Sequence, residues 1–189
     1  MGVRAKPEET NMRLTSYTDY SLRVLMYLGL KDGTLTTIQE IADSYHISKN
    51  HLMKIVHELN LKGYIDSMRG KRGGIRLGRP AAEIRLGRLI RDTEQDFALA
   101  ECFSSCNECV ITPACRINRV LADGLKAFMQ VLDSYSLADM LSPDLQPQLI
   151  RLLQMDPAAT PLARPSRRPR NGSGSGPSPA PAAGPGAGE

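Results

Sequence analysis

Three short helical patterns, a basic glycine-rich hairpin and one long amphipathic stripe predict a mainly α protein with a small β-hairpin wing. In that order they are the parts of a winged helix-turn-helix followed by a long C-terminal dimerisation helix. Composition agrees: of 189 residues 41% are hydrophobic, but only 5% are aromatic and Trp is absent. That favours helices packed through Leu, Ile, Val and Met over an aromatic-rich β-sandwich.

Thr15 to Asp19 opens the first helix, in which Leu22, Leu25, Met26 and Leu30 recur at helical spacing before Gly33 ends it. A second helix covers roughly Thr37 to Tyr45, with Ile38, Ile41 and Ala42 inward. The link His46-Ile47 leads to Ser48, the expected N-cap of a third helix that runs to about Lys62. Leu52, Ile55, Val56 and Leu59 line its buried face, and Gly63 stops it.

Tyr64–Met68 and Ile75–Leu77 flank the turn Arg69-Gly70-Lys71-Arg72-Gly73-Gly74, which makes a hairpin. Pro80 introduces a helix from Glu83 to about Glu94. After a cysteine segment, Ile117, Val120, Leu121, Leu125, Phe128 and Leu132 mark one long amphipathic helix. The organisation expected is an extension over 1–11, the winged domain over 12–95, a cysteine loop over 96–116, the dimerisation helix over 117–141 and a C-terminal extension over 142–189. Beyond about residue 157, Pro, Ala, Gly, Ser and Arg predominate, a composition expected to be disordered.

Charge is uneven. The whole chain carries +4, whereas the stretch from Lys49 to Arg91 holds 11 Lys and Arg against 3 Asp and Glu. A basic segment beside an acidic remainder is the footprint of a polyanion partner, here double-stranded DNA. The third helix would enter the major groove with Ser48, Lys49, Asn50 and His51 in its first turn and Lys54 one turn on. Arg69, Lys71 and Arg72 in the wing suit phosphate and a narrow minor groove. The apolar stripe of the long helix exceeds what a small domain needs, so a homodimer reading two half-sites is expected.

The N-terminal stretch lacks an apolar leader, and the longest apolar run, Leu22 to Leu30, is too short for a bilayer and contains Arg23. A cytoplasmic protein without membrane association is expected, in a compartment where thiols stay reduced. Four cysteines, Cys102, Cys106, Cys109 and Cys115, lie within 14 residues. Thiolates that close suit either zinc or an iron–sulfur cluster, and spacing alone leaves both open. An enzyme is not expected. His46, His51 and His57 all fall in the DNA-reading region, and Arg69–Gly74 lacks the Lys-Ser/Thr ending of a phosphate loop.

Residues 12–140 resemble the winged-helix iron–sulfur repressors that include the NsrR-type nitric-oxide sensors and the IscR regulators. The matching stretches are Met12–Arg23, Ile47–Val56, the turn at 69–74, Glu101-Cys102-Phe103 and Cys109–Arg116. The NsrR branch fits better, because the IscR pattern places a histidine shortly after the last cysteine and Asn118 and its neighbours supply none. The resemblance implies a transcriptional repressor with a cluster, 4Fe–4S or alternatively 2Fe–2S, that nitric oxide attacks to release DNA. It implies Cys102, Cys109 and Cys115 as ligands, with Asp19 donated by the other subunit. Cys106 is extra to the pattern and is the alternative fourth ligand. Asp19 also has an ordinary role, since a carboxylate in a first helical turn is favoured by the helix dipole.

Overall fold

A computed structural model of the chain describes residues 13–70, 73–104 and 106–155. Helix α1 (Ser16–Leu30) is capped by Thr15, whose hydroxyl accepts from the Thr18 amide at 3.3 Å. Val24, Leu25 and Leu28 are fully buried, making α1 the central helix of the core. Helix α2 (Ile38–Tyr45) opens with a reciprocal capping box. The Thr37 hydroxyl accepts from the Glu40 amide at 3.2 Å, and the Glu40 carboxylate accepts from the Thr37 amide at 2.6 Å. His46, in the left-handed region at φ 53°, turns the chain into α3 (Lys49–Leu61).

Ser48 stands at the N-cap position of α3, but its side chain makes no capping hydrogen bond. The hydroxyl is exposed, so the expected capping role is corrected. At the other end, Gly63 adopts φ 70°, which only glycine takes without strain. It allows the Tyr64 amide to reach the Leu59 carbonyl at 2.9 Å and the Gly63 amide to reach Asn60 at 3.0 Å.

Strands β1 (Ile65–Met68) and β2 (Gly74–Leu77) pair antiparallel, with Ile65 opposite Leu77 and Met68 opposite Gly74. Thr36 exchanges two backbone hydrogen bonds with Ile75, at 2.9 and 2.8 Å, and anchors the wing to the α1–α2 link.

The helix expected from Glu83 starts later. Ala81–Glu83 is a single 3-10 turn and α4 spans Leu86–Thr93. The cause is tertiary: Ile84 and Arg85 are extended because their strand-like segment pairs with residues 135–137. The Leu86 amide reaches Tyr135 at 3.0 Å and the Leu137 amide reaches Ile84 at 2.8 Å.

Helix α5 (Arg116–Ser134) stops there because Ser136 and Asp139 form a new capping box for α6 (Leu137–Met140). Helix α7 (Gln146–Leu152) follows. Leu137, Leu141, Leu153 and Met155 are buried in the core around α1, so residues 137–155 complete the winged domain's packing. The expectations for residues 1–11 and for the tail beyond about 157 lie outside the described residues.

Candidate DNA-reading face and cysteine segment

Burial of Leu52, Ile55, Val56 and Leu59 fixes the roll of α3. Ser48, Lys49, Asn50, His51 and Lys54 are all exposed, as the sequence predicts for a groove-facing helix. His57 and Met53 are also exposed on α3, Met53 at 51%. Sequence reasoning passed over both as reading residues, although they follow Asn50 at seven and three positions, the helical repeat itself. Arg69 is exposed at the end of β1, whereas Lys71 and Arg72 lie outside the described residues.

A cluster at its C-terminus holds α3 to the wing and to α4. Arg79, just past β2, donates to the Lys62 carbonyl at 2.8 Å and the Gly63 carbonyl at 3.0 Å. Its guanidinium stacks over the Tyr64 ring at 4.5 Å. The Tyr64 hydroxyl donates to Asp92 at 2.6 Å, and burial together with that carboxylate pushes the phenol well above its ordinary range. Lys62 reaches the Asp92 carbonyl at 2.7 Å.

The end of α4 therefore connects several elements through four consecutive residues. Arg91 pairs with Asp133 of α5. Asp92 accepts from Tyr64, as described. Thr93 is bonded to Thr18 of α1 at 2.9 Å between buried hydroxyls. Glu94 accepts from the Thr15 amide at 2.8 Å. The chain then enters the cysteine segment.

That segment has no core of its own: among the described residues none from Glu94 to Phe128 is buried. Cys102 lies in a 3-10 turn, Glu101–Phe103, and Cys115 is the N-cap residue of α5 after a second such turn, Thr112–Ala114. Cys102, Cys109 and Cys115 are half-buried and Cys106 is exposed. Local bonds shape the segment, including Glu108 amide to Glu101 at 2.9 Å and the Thr112 hydroxyl to the Cys109 carbonyl at 2.8 Å.

Among the described residues, no three or more His, Cys, Asp or Glu side chains come together as a metal-binding group. The four cysteines and Asp19 thus do not form a gathered ligand set within one chain. Asp19 sits on α1, where Arg23 donates to its carboxylate at 2.7 and 3.1 Å. Arg23 in turn stacks on Tyr20 and Tyr45, and burial pushes the Tyr45 phenol up to about 12. The donor chemistry still fits an iron–sulfur group: soft thiols on a coreless segment that ligation would order.

Helix α5 presents an unpartnered apolar face. Val120 is 67% exposed and Phe128 48%, with Ile117 and Val131 also exposed, while Met129 alone is buried along the helix.

A winged helix with an exposed polar recognition helix and a basic chain defines a DNA-binding transcriptional regulator. Comparison with known proteins specifies it. Residues 14–143 match the family model described as Rrf2, iron-dependent transcriptional regulator. The chain belongs to the Rrf2 family, and it is a regulator and not an enzyme.

It is 51% identical over 132 residues to the HTH-type transcriptional regulator NsrR of Bacillus licheniformis, covering 69% of this chain and 92% of that one. Identity to NsrR of Bacillus subtilis is 46% over 146 residues, covering 76% and 99%. Among solved structures, T. potens IscR superposes with a TM-score of 0.55 at 26% identity, covering 69% of this chain and 87% of that one. CymR, the global cysteine regulator of B. subtilis, gives 0.55 at 25% identity, covering 69% and 96%. Among the described residues no helix is long and apolar enough to cross a membrane.

Proposed function

We propose that this chain is a homodimeric, cytoplasmic repressor that reads two DNA half-sites and releases them when nitric oxide attacks a bound iron–sulfur cluster. The observation that carries the reading is the placement of the four-cysteine segment. It lies directly between the last turn of α4, which is tied to the recognition helix, and the exposed apolar helix α5. The NsrR names of the similar relatives support the choice of signal.

Ser48, Lys49, Asn50, His51 and Lys54 read the major groove, and Arg69, Lys71 and Arg72 hold the flanking backbone or minor groove. Two copies join along α5 through Ile117, Val120 and Phe128. Cys102, Cys109 and Cys115 hold the cluster, a 4Fe–4S or alternatively a 2Fe–2S group. Asp19 of the partner subunit is the fourth ligand and Cys106 the alternative. The cluster supplies iron that nitric oxide attacks.

The chain's own part is transmission. Ligation fixes the cysteine segment, and the segment continues from Arg91, Asp92, Thr93 and Glu94, which grip α5, the end of α3 with the following Tyr64, and α1. Coupling of about 1–3 kcal/mol through these contacts changes DNA affinity roughly 5- to 150-fold, enough for a switch.

The test is iron, sulfide and zinc content per chain on protein purified without oxygen, followed by nitric-oxide titration of the DNA complex. About four irons and four sulfides, with DNA released on titration, are expected for the cubane form. Zinc without sulfide, or a DNA complex indifferent to nitric oxide, overturns the sensor reading and leaves a metal-stabilised repressor.

A further inference from the structure

On α3 the groove-facing surface is polar except at Met53. Its side chain is 51% exposed in the middle of a helix whose other apolar residues, Leu61 at the C-terminal end apart, are buried in the core. Lys49 and Asn50 precede it by four and three residues and His57 follows it by four, so Met53 shares their side of the helix. Those neighbours are exposed as well. Leu61, the other exposed apolar residue of α3, lies about 12 Å further along the axis at the C-terminal end. Only Met53 falls in the N-terminal half that a major groove about 12 Å wide admits.

A methionine left half in water on such a face adds little to the core. In the groove it meets the one apolar group that base edges offer, the 5-methyl of thymine. Methionine's unbranched, flexible chain adapts to that target without requiring a fixed angle. Asn50, one turn back, has the amide geometry that pairs with adenine, so an A·T step would satisfy both residues together.

We propose that Met53 is a specificity-determining residue that reads the methyl group of a thymine beside the bases addressed by Lys49 and Asn50. The assignment rests on α3 being the DNA-reading helix. It does not depend on the cluster, on the signal or on which residues ligate iron.

The experiment uses the full chain and a duplex selected by it from a random-sequence pool. The duplex is resynthesised with deoxyuridine in place of single thymines, which removes the methyl and keeps the base pairing. At one thymine per half-site, wild type is expected to lose about fourfold in affinity, the value of one buried methyl. Met53→Ala, which changes both protomers, loses about that factor at each half-site of the thymine duplex and becomes indifferent to the uracil exchange. Met53→Leu keeps the sensitivity. Because the side chain is exposed, both variants should unfold at the wild-type temperature, measured in parallel.

Equal uracil penalties in wild type and Met53→Ala overturn the proposal, as does a wild type insensitive at every thymine. In either case the DNA-reading assignment of α3 stands. A chain that selects no duplex overturns that assignment, and the Met53 proposal with it.

Discussion

Arg91 of α4 and Asp133 of α5 are joined by two parallel hydrogen bonds of 2.8 and 2.5 Å, and the carboxylate held in this way lies directly over Gly87. A bidentate guanidinium–carboxylate pair fixes angle as well as distance. The direction in which α5 leaves the winged domain is therefore set at this point. In a dimer built on α5, that direction sets the separation of the two recognition helices.

Gly87→Ala tests the closeness of this packing. In a helix the exchange normally stabilises by up to about 1 kcal/mol. Here the added carbon would fall on the Asp133 carboxylate and close to the Asp133 backbone nitrogen. Overpacking of that kind costs about 1–3 kcal/mol, so the clash decides the sign. Calorimetry should show a lower Tm for Gly87→Ala, with partial recovery when Asp133→Ala is added. An unchanged or higher Tm would mean that α4 and α5 are not held this tightly.

The same pair predicts a pH dependence. The Arg91 guanidinium holds the Asp133 carboxyl below its ordinary value. A depressed folded-state pKa contributes stability that is complete above the unfolded-state value, about 3.9, and is lost as pH falls through the folded value. The Tm difference between wild type and Asp133→Asn should thus be constant from neutral pH down to about 5 and vanish in stronger acid. Asp139 is lowered too, by the Ser136 hydroxyl and amide that bond it at 2.7 Å, but it remains in both proteins and cancels. A difference that grows on acidification contradicts the assignment.

What the sequence disclosed follows from which forces are local. Helical periodicity in Leu22, Leu25, Leu52, Ile55 and Leu59 located α1 and α3, because each residue's burial depends on neighbours three or four positions away. Gly63 announced the end of α3 for the same reason. Ile84 and Arg85 were misread as helix because their partners, residues 135–137, are some 50 positions distant, and backbone pairing outweighed propensity. The packing of Leu153 and Met155 against the core was hidden by the same long separation. Within the candidate site, Lys49, Asn50 and the cysteines were singled out by residue type, and the structure adds their exposure and placement. Arg79, which clamps the end of α3, looked like one more basic residue until its carbonyl partners were known.

The exposed face of α5 predicts a dimer that one substitution dissociates. Phe128 is 48% exposed in the single chain, so Phe128→Glu leaves no carboxylate buried in a monomer. In an apolar seam the same carboxylate would be desolvated without a partner, at a cost of several kcal/mol. Sedimentation at micromolar concentration should give a dimer mass for wild type and a monomer mass for Phe128→Glu, with circular dichroism unchanged. Monomeric wild type would remove α5 as the interface.

Replacing the proposed sulfur ligands one at a time separates the two candidates for the fourth position. Cys102→Ser, Cys109→Ser and Cys115→Ser should each abolish retention of iron and sulfide, since a serine hydroxyl is a poor substitute for thiolate. Cys106→Ser should retain both, and Asp19→Ala should lose cluster more rapidly than wild type under air. Because Asp19 also pairs with Arg23 at 2.7 Å, Arg23→Gln is the control. It breaks the ion pair and keeps the carboxylate, so it should hold iron like wild type if ligation is what Asp19 supplies. Loss of iron from Cys106→Ser with retention in Asp19→Ala would reverse the assignment and place all four ligands within a single cysteine segment.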